Sequence, residues 1–163
     1  MSSVDNATIH ESMTSKTDDT NWRDHLIESS AQIDKLLANT HRIAVLGIKP
    51  DPDQPAYYVP KHADDAGYEI VPVPVYYKEL MEIMGKPVYR KLTDIPGEID
   101  MVNVFRRPKD IPAHLDDILA KKPKSVWFQL GIRNDEAAER LAKAGIDVVQ
   151  DRCLLVELRR IGK

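Results

Sequence analysis

The chain has 163 residues, 30% of them charged, and a formal net charge of -3 at pH 7. This length predicts a single domain that is large enough to bury a hydrophobic core. A charge so close to neutrality gives no basis for a nucleic-acid-binding or membrane-binding surface, and no apolar run is long enough to span a bilayer.

The first 20 residues, "MSSVDNATIHESMTSKTDDT", are polar and acidic. They lack the basic-then-apolar order of a secretory signal, and they have little apolar surface to bury, so we expect residues 1–20 to form a flexible tail. One cysteine, Cys153, cannot form an internal disulfide. These features predict a cytoplasmic protein in which residues 21–163 form one domain.

The next segment, "NWRDHLIESSAQIDKLLANT", has apolar residues at helical spacing. Asn21 can cap its start through its side-chain oxygen. The apolar positions that would share one face are Trp22, Leu26, Ile33, Leu36 and Leu37. We therefore predict a helix over residues 21–39 that covers one edge of the core.

From His41 onward, strand-like and helix-like segments alternate. Continuous apolar runs, typical of strands buried on both faces of a parallel sheet, predict strands at 43–46, 69–73, 101–104, 125–128 and 147–149, with a further short strand near 88–90. Of the helices between them, "NDEAAERLAKAG" is the clearest, with Asn134 as its cap. Pro60 predicts a late start or a kink in the helix of "PAYYVPKHADDAG". This alternation predicts an α/β fold, a doubly wound parallel sheet flanked by helices.

Ligands of such sheets bind beyond the carboxyl ends of the strands, at the point where the strand order reverses. Several cations follow the predicted strands: Lys49, Lys78, Arg106, Arg107, Arg133 and Arg152. Each one alone is best interpreted as an ordinary solvated residue. As a set at the strand ends, they favour a phosphate-bearing ligand.

A nicotinamide dinucleotide is disfavoured by two features of the sequence. The loop after Gly47 lacks the later glycines of the G-x-G-x-x-G fingerprint. The second predicted strand ends in "VPVPVYY", without the carboxylate that would bind a ribose hydroxyl. An NAD(P)-dependent oxidoreductase therefore remains only as an alternative.

Four longer patterns follow one another along residues 42–157: "RIAVLGIKPDPDQPAYYVPKHADDAGYEIVPV", "GKPVYRKLTDIPGEIDMVNVFRRP", "SVWFQLGI" and "DVVQDRCLLVE". Their order resembles the single-domain CoA-binding proteins, which are small relatives of the N-terminal domain of the succinyl-CoA synthetase alpha subunit. The resemblance implies a Rossmann-like fold that holds CoA or an acyl-CoA along the strand ends. The loop after Gly47 would present backbone N–H groups to the pyrophosphate, and the segment after Val71 would lie near the adenosine.

The resemblance and the cations together give the candidate ligand-binding residues. They are Gly47, Ile48, Lys49, Pro72, Val73, Lys78, Val104, Phe105, Arg106, Gln129, Leu130, Gly131 and Arg152. Relatives carry polar or basic residues where this chain has Gln54, Ala56 and Pro74, so a third reading is a Rossmann-like scaffold whose nucleotide site has decayed.

The histidines of the chain are scattered, without the spacing of a catalytic triad or a metal site. His62 and His114 are interpreted as solvated residues on surface helices. The sequence therefore predicts no catalytic residue, no metal ligand and no enzyme activity. It favours a non-catalytic binding module with a regulatory or carrier role, and it identifies no protein partner.

Overall fold

A central sheet of parallel strands carries the chain in the computed structural model, which describes residues 21–163. In chain order the strands are β1 (Arg42–Leu46), β2 (Glu69–Val73), β3 (Glu82–Ile83), β4 (Lys86–Pro87), β5 (Met101–Val104), β6 (Ser125–Phe128) and β7 (Asp147–Val149). Five of them pair in the order β2-β1-β5-β6-β7, and every pair is parallel. Strands β3 and β4 form a separate antiparallel hairpin.

The helices cover both faces of this sheet. They are α1 (Ser30–Ala38), α2 (Pro55–Asp65), α3 (Leu115–Lys121), α4 (Asp135–Lys143) and α5 (Leu154–Arg160). Helices α1, α2 and α5 pack on one apolar layer of the core, which contains Ile33, Val59 and Leu158. Helices α3 and α4 pack on the other layer through Ile118 and Leu141. The predicted doubly wound, Rossmann-like α/β fold is confirmed.

The predicted helix over residues 21–39 is wrong in its extent. Helix α1 begins after Ser29, whose side chain accepts a hydrogen bond from the N–H of Gln32 in a capping box. Upstream, Ile27 donates its N–H to the carbonyl of Val148, so that the chain runs beside the exposed edge of β7. The segment Trp22–His25 forms a short 3-10 helix, which the Asn21 side chain does not cap as predicted. A sheet edge has unpaired backbone groups that attract an extended segment, and the pairing of Leu26 and Ile27 with Val148 interrupts the predicted helix before Ser29.

One expectation about the region after β1 is also wrong, and of the two alternatives for Pro60 the late start is excluded. Residues 88–90 form no strand; the short strands lie just before them, in the β3–β4 hairpin. Helix α2 starts at Pro55 and continues through Pro60, so it does not start late. Pro60 lacks the N–H that would bond to the carbonyl of Ala56, and that carbonyl accepts the N–H of Lys49 at 3.2 Å instead.

The sheet order places its switch point between β1 and β5. The chain leaves β1 for β2 on one side and returns to β5 on the other, and Leu46 is in register with both Val73 and Val104. Their carboxyl ends therefore lie level at one edge, which we call the carboxyl edge. We call the opposite edge, where the strands begin, the amino edge.

The predicted flexible tail, residues 1–20, lies outside the described residues. Within residues 21–163, none of the helices combines the length and the hydropathy that a membrane span requires. In the same part of the chain, histidine, cysteine and carboxylate side chains do not gather in groups of three or more that could hold a metal ion.

Candidate functional site at the carboxyl edge of the sheet

A cleft of about 450 Å³ opens at the carboxyl ends of β1 and β2. This carboxyl-edge cleft is lined by Leu46, Pro74, Val75, Lys78, Arg90, His114 and Asp117. Its volume is within the range of about 300–1,000 Å³ that small-molecule sites occupy. Apolar groups, the cations of Lys78 and Arg90 and the carboxylate of Asp117 therefore share one concave surface at the switch point of the sheet.

Arg106 follows β5 and lies beside this cleft, with its side chain only 14% exposed. Its Nε donates to Nε2 of His114 at 3.2 Å, and its Nη1 donates to Oη of Tyr76 at 3.4 Å. The guanidinium carbon is 5.5 Å from the centre of the Tyr76 ring. The nearest carboxylate oxygen, on Asp110, is 3.8 Å from Nη2 and bonds more closely, at 2.9 Å, to Arg107. The charge of Arg106 is therefore held mainly by uncharged partners.

The protonation of the neighbouring groups reflects this positive charge. Burial, and then the Arg106 guanidinium, lower the pKa of His114 below the usual value of an imidazole. The hydrogen bond from Arg106 lowers the pKa of the exposed Tyr76 phenol. The hydrogen bond from Arg107 lowers the pKa of Asp110. Each shift is in the direction that an electropositive surface produces.

The loop after β1 is tied to the protein more tightly than expected. The backbone of Gly47 has a φ of 90°, and a Cβ there would lie 2.3 Å from the carbonyl oxygen of Phe105. The close approach that this glycine permits is therefore to the end of β5. The N–H groups of Lys49 and Asp53, expected to face a pyrophosphate, bond instead to Ala56 and to the Asp51 carboxylate.

Five of the candidate ligand-binding residues have buried side chains. They are Ile48, Pro72, Val73, Val104 and Gln129. Gln129 uses its Oε1 to accept the N–H of Leu154 at the start of α5. These five positions can meet a ligand only through their backbone, since their side chains belong to the core.

The remaining candidates, apart from Arg152, divide into two groups. Gly47, Lys49, Lys78, Phe105 and Arg106 follow the carboxyl ends of β1, β2 and β5, and of these five Lys78 lines the carboxyl-edge cleft itself. The exposed Leu130 and Gly131 follow β6, one strand further along the sheet, and Gly131 donates its N–H to Asp151 at 2.6 Å.

Arg152 is not brought to the carboxyl-edge cleft. It follows β7 at the far side of the sheet and donates to the carbonyl of Glu28 at 2.8 Å. It lines a separate cavity of about 320 Å³ together with Trp22 and Arg133. Its guanidinium therefore fastens the segment before α1 to the rest of the domain.

Three residues near the cleft were missed from the sequence: Tyr76, Arg90 and His114. Arg90 donates to the backbone carbonyls of Tyr76, Tyr77, Lys78 and Leu80 and so holds the loop after β2 in place. His114 is half-buried rather than solvated. The run "RRPKDIPAH" carried a signal for it, since its two prolines predict an irregular turn that can return the chain to the strand end.

A larger cleft, of about 660 Å³, lies at the amino edge. Four of its polar side chains are bonded in pairs: His25 with Asp147 at 2.7 Å, and Lys124 with Asp100 at 3.3 Å. Its lining has three carboxylates, on Asp24, Asp100 and Asp147, which would repel a phosphate, whereas the lining of the carboxyl-edge cleft has one, on Asp117. We therefore place the candidate site in the smaller cleft at the carboxyl edge, where parallel sheets of this topology bind ligands.

Comparisons of the sequence and of the structure with known proteins identify the family of the chain. The model of a family described as CoA binding domain matches residues 41–159. The Bacillus subtilis (strain 168) protein YneT is 38% identical over 128 residues, which are 78% of this chain and 93% of YneT. A Thermus thermophilus structure, cell-free ID.343, has 38% identity and a TM-score of 0.77, with 82% of this chain and 99% of that chain covered. A hypothetical protein from Pyrococcus horikoshii OT3 has 31% identity and a TM-score of 0.76, with coverages of 82% and 92%.

Proposed function

The chain belongs to the CoA binding domain family, and we propose that it binds CoA or an acyl-CoA in the carboxyl-edge cleft without catalysing a reaction. The family supports a CoA-type ligand, while the place, the acyl group and the non-catalytic role are our proposal. Residues Lys49 and Lys78 near β1 and β2, and Arg106 at the end of β5, would contact its phosphates.

The observation that carries this proposal is that the positive charges of these three side chains are only weakly neutralised by carboxylates of the protein. Among residues 21–163, neither Lys49 nor Lys78 has an ion pair with a carboxylate, and Arg106 is held by a phenol, an imidazole and one distant carboxylate. A phosphate would supply the missing negative charge through charge-assisted hydrogen bonds, which are about twice as strong as neutral ones.

The lining of the cleft supports a binding role rather than a catalytic one. None of its residues is a serine, threonine or cysteine that could act as a nucleophile next to His114. The carboxylate of Asp117 already accepts the N–H groups of Leu92 and Thr93, at 2.7 and 3.2 Å, so it caps a turn instead of serving as a base. We propose a regulatory or carrier role for such a binding module.

Calorimetric titration of the full chain with CoA, acetyl-CoA, NAD and NADP tests the proposal. We expect CoA or acetyl-CoA to bind and the two nicotinamide dinucleotides not to bind. Lys78→Ala should weaken CoA binding by about 1.5–3 kcal/mol, the range for a hydrogen bond to a charged group. Lys124→Ala, at the amino edge, removes a matched lysine and should leave the affinity unchanged.

Two results would contradict the proposal. Tighter binding of NAD or NADP than of CoA would favour the oxidoreductase alternative. Absence of binding to all four compounds by the folded chain would favour the scaffold whose nucleotide site has decayed.

A further inference from the structure

We infer that His114 is a phosphate ligand that gains its charge only when the ligand arrives, so that CoA binding takes up a proton. This inference rests on the proposed function, because it concerns the same cleft. It adds a residue that the family resemblance does not supply, and it makes the affinity for CoA depend on pH in a specified direction.

The hydrogen bond to Arg106 fixes the state of His114 in the free protein. A guanidinium can only donate, so Nε2 of His114, 3.2 Å from Nε of Arg106, must accept and carries no proton. The imidazole is half-buried and lines the cleft. Both features favour its neutral form, in agreement with the lowered pKa of His114.

The groups that surround His114 give it no strong carboxylate partner. On its own turn and on α3, Asp110 is bonded to Arg107, and Asp117 is bonded to backbone N–H groups. From the neighbouring elements come Arg106 and Tyr76, while Lys78 and Arg90 line the same cleft. Positive groups therefore exceed the uncommitted negative ones around the imidazole.

A phosphate in the cleft reverses this balance. Its oxygens accept hydrogen bonds from Arg106, and its negative charge stabilises a proton on His114. That proton comes from the solvent and binds to Nε2, which changes from an acceptor into a donor toward the phosphate. The bond between Arg106 and His114 is thereby exchanged for two bonds to the ligand.

CoA has two groups that could be the phosphate bound by Arg106 and His114, namely the pyrophosphate and the 3′-phosphate. Dephospho-CoA lacks the 3′-phosphate and keeps the pyrophosphate, so the two ligands distinguish the sources. Proton uptake with both ligands assigns His114 to the pyrophosphate, and uptake with CoA alone assigns it to the 3′-phosphate.

The experiment is calorimetric titration of the full chain at about pH 7 in buffers that differ in ionisation enthalpy. We expect the wild type to take up a measurable fraction of one proton per CoA. The variant His114→Gln should lose this uptake and leave only a small proton release from the 3′-phosphate, whose second pKa of about 6 falls when the group binds to cations. The control His62→Gln changes a histidine that bonds to the backbone of Lys163, far from the cleft, and should keep the uptake.

A second measurement needs no variant. One of the two ligands, CoA or dephospho-CoA, is the ligand whose binding protonates His114. The wild-type Kd for that ligand should fall as the pH decreases through neutrality, with a limiting slope of about tenfold per pH unit for one proton. Binding of CoA with equal proton uptake in wild type and His114→Gln would overturn the inference and leave the proposed function standing. Absence of CoA binding by the wild type would overturn both.

Discussion

The two edges of the same sheet use charge in opposite ways. At the amino edge, the Asp100 carboxylate accepts the N–H groups of His41 and Arg42, each at 2.9 Å, and also pairs with Lys124. The side chain of Arg42 bonds to Glu69 at 2.6 Å and to two backbone carbonyls. At the carboxyl edge, Arg106 has mainly neutral partners.

This difference separates charges that stabilise the fold from charges that, in the proposed function, bind the ligand. Carboxylates that satisfy backbone N–H groups connect the starts of neighbouring strands, and their loss leaves buried donors unpaired. A cation that is held by a phenol and an imidazole has no such role, and it remains able to bind an anion. We therefore assign a structural role to the amino edge, despite its larger cleft, and the proposed binding region is the carboxyl edge.

The largest effect is expected for Gly47, a residue at the carboxyl edge whose close packing also stabilises the fold. Gly47→Ala places a Cβ against the Phe105 carbonyl and keeps a strained φ, and we expect a loss of about 2–6 kcal/mol in the free energy of unfolding. Gly131→Ala is the control, since Gly131 has a similar φ of 84° and no atom within 4 Å of the added Cβ. It should cost only about 1–2 kcal/mol of backbone strain. Equal losses in urea denaturation would show that the contact with Phe105 is unimportant.

Asp100→Ala should affect stability without affecting the ligand. We expect a loss of about 1–3 kcal/mol in the free energy of unfolding at neutral pH, because the N–H groups of His41 and Arg42 lose their acceptor, and an unchanged CoA affinity. A weakened affinity in a folded variant would break the distinction between the two edges.

The same residue predicts a pH dependence. Burial raises the pKa of Asp100, but the N–H groups of Arg42 and His41 and the Lys124 ammonium outweigh it, and the net shift is downward. Its contribution to stability is therefore complete above the unfolded-state value of about 3.9 and is lost as the pH falls through the lower folded-state pKa. Acid unfolding of Asp100→Ala should lack this part of the wild-type loss.

The strands of the fold could be predicted because their signals are local. Continuous apolar runs located 69–73, 101–104, 125–128 and 147–149 at the observed bounds, and Asn134 caps α4 as expected. The first helix was predicted too long, because the pairing of Ile27 with Val148, which ends the helical pattern before Ser29, joins residues that are far apart in the chain.

For the candidate site, only the edge of the sheet on which it lies could be predicted from the sequence. Topology alone located the cations at the edge where parallel sheets bind ligands. It could not show that Arg152 donates a hydrogen bond to the carbonyl of Glu28, or that His114 accepts one from Arg106. These contacts depend on turns and side-chain directions that no periodicity in the sequence encodes.

The smallest effect is expected for Pro60→Ala. The new N–H would compete with Lys49 for the carbonyl of Ala56, so that the helix gains a bond and the loop after β1 loses one. We expect the free energy of unfolding to change by less than about 1 kcal/mol, and CoA affinity to fall by about 0.5–1.5 kcal/mol as the loop becomes less ordered. An unchanged affinity would show that this loop takes no part in binding.

The most direct test of the central claim compares two arginines, one from each edge, by calorimetric titration with CoA. Arg106→Ala should weaken CoA binding by about 1.5–3 kcal/mol, whereas Arg42→Ala should leave the Kd unchanged in folded protein, although it removes the contacts to Glu69 and the neighbouring carbonyls. A loss of affinity in Arg42→Ala together with normal binding by Arg106→Ala would place the ligand at the amino edge and contradict the account.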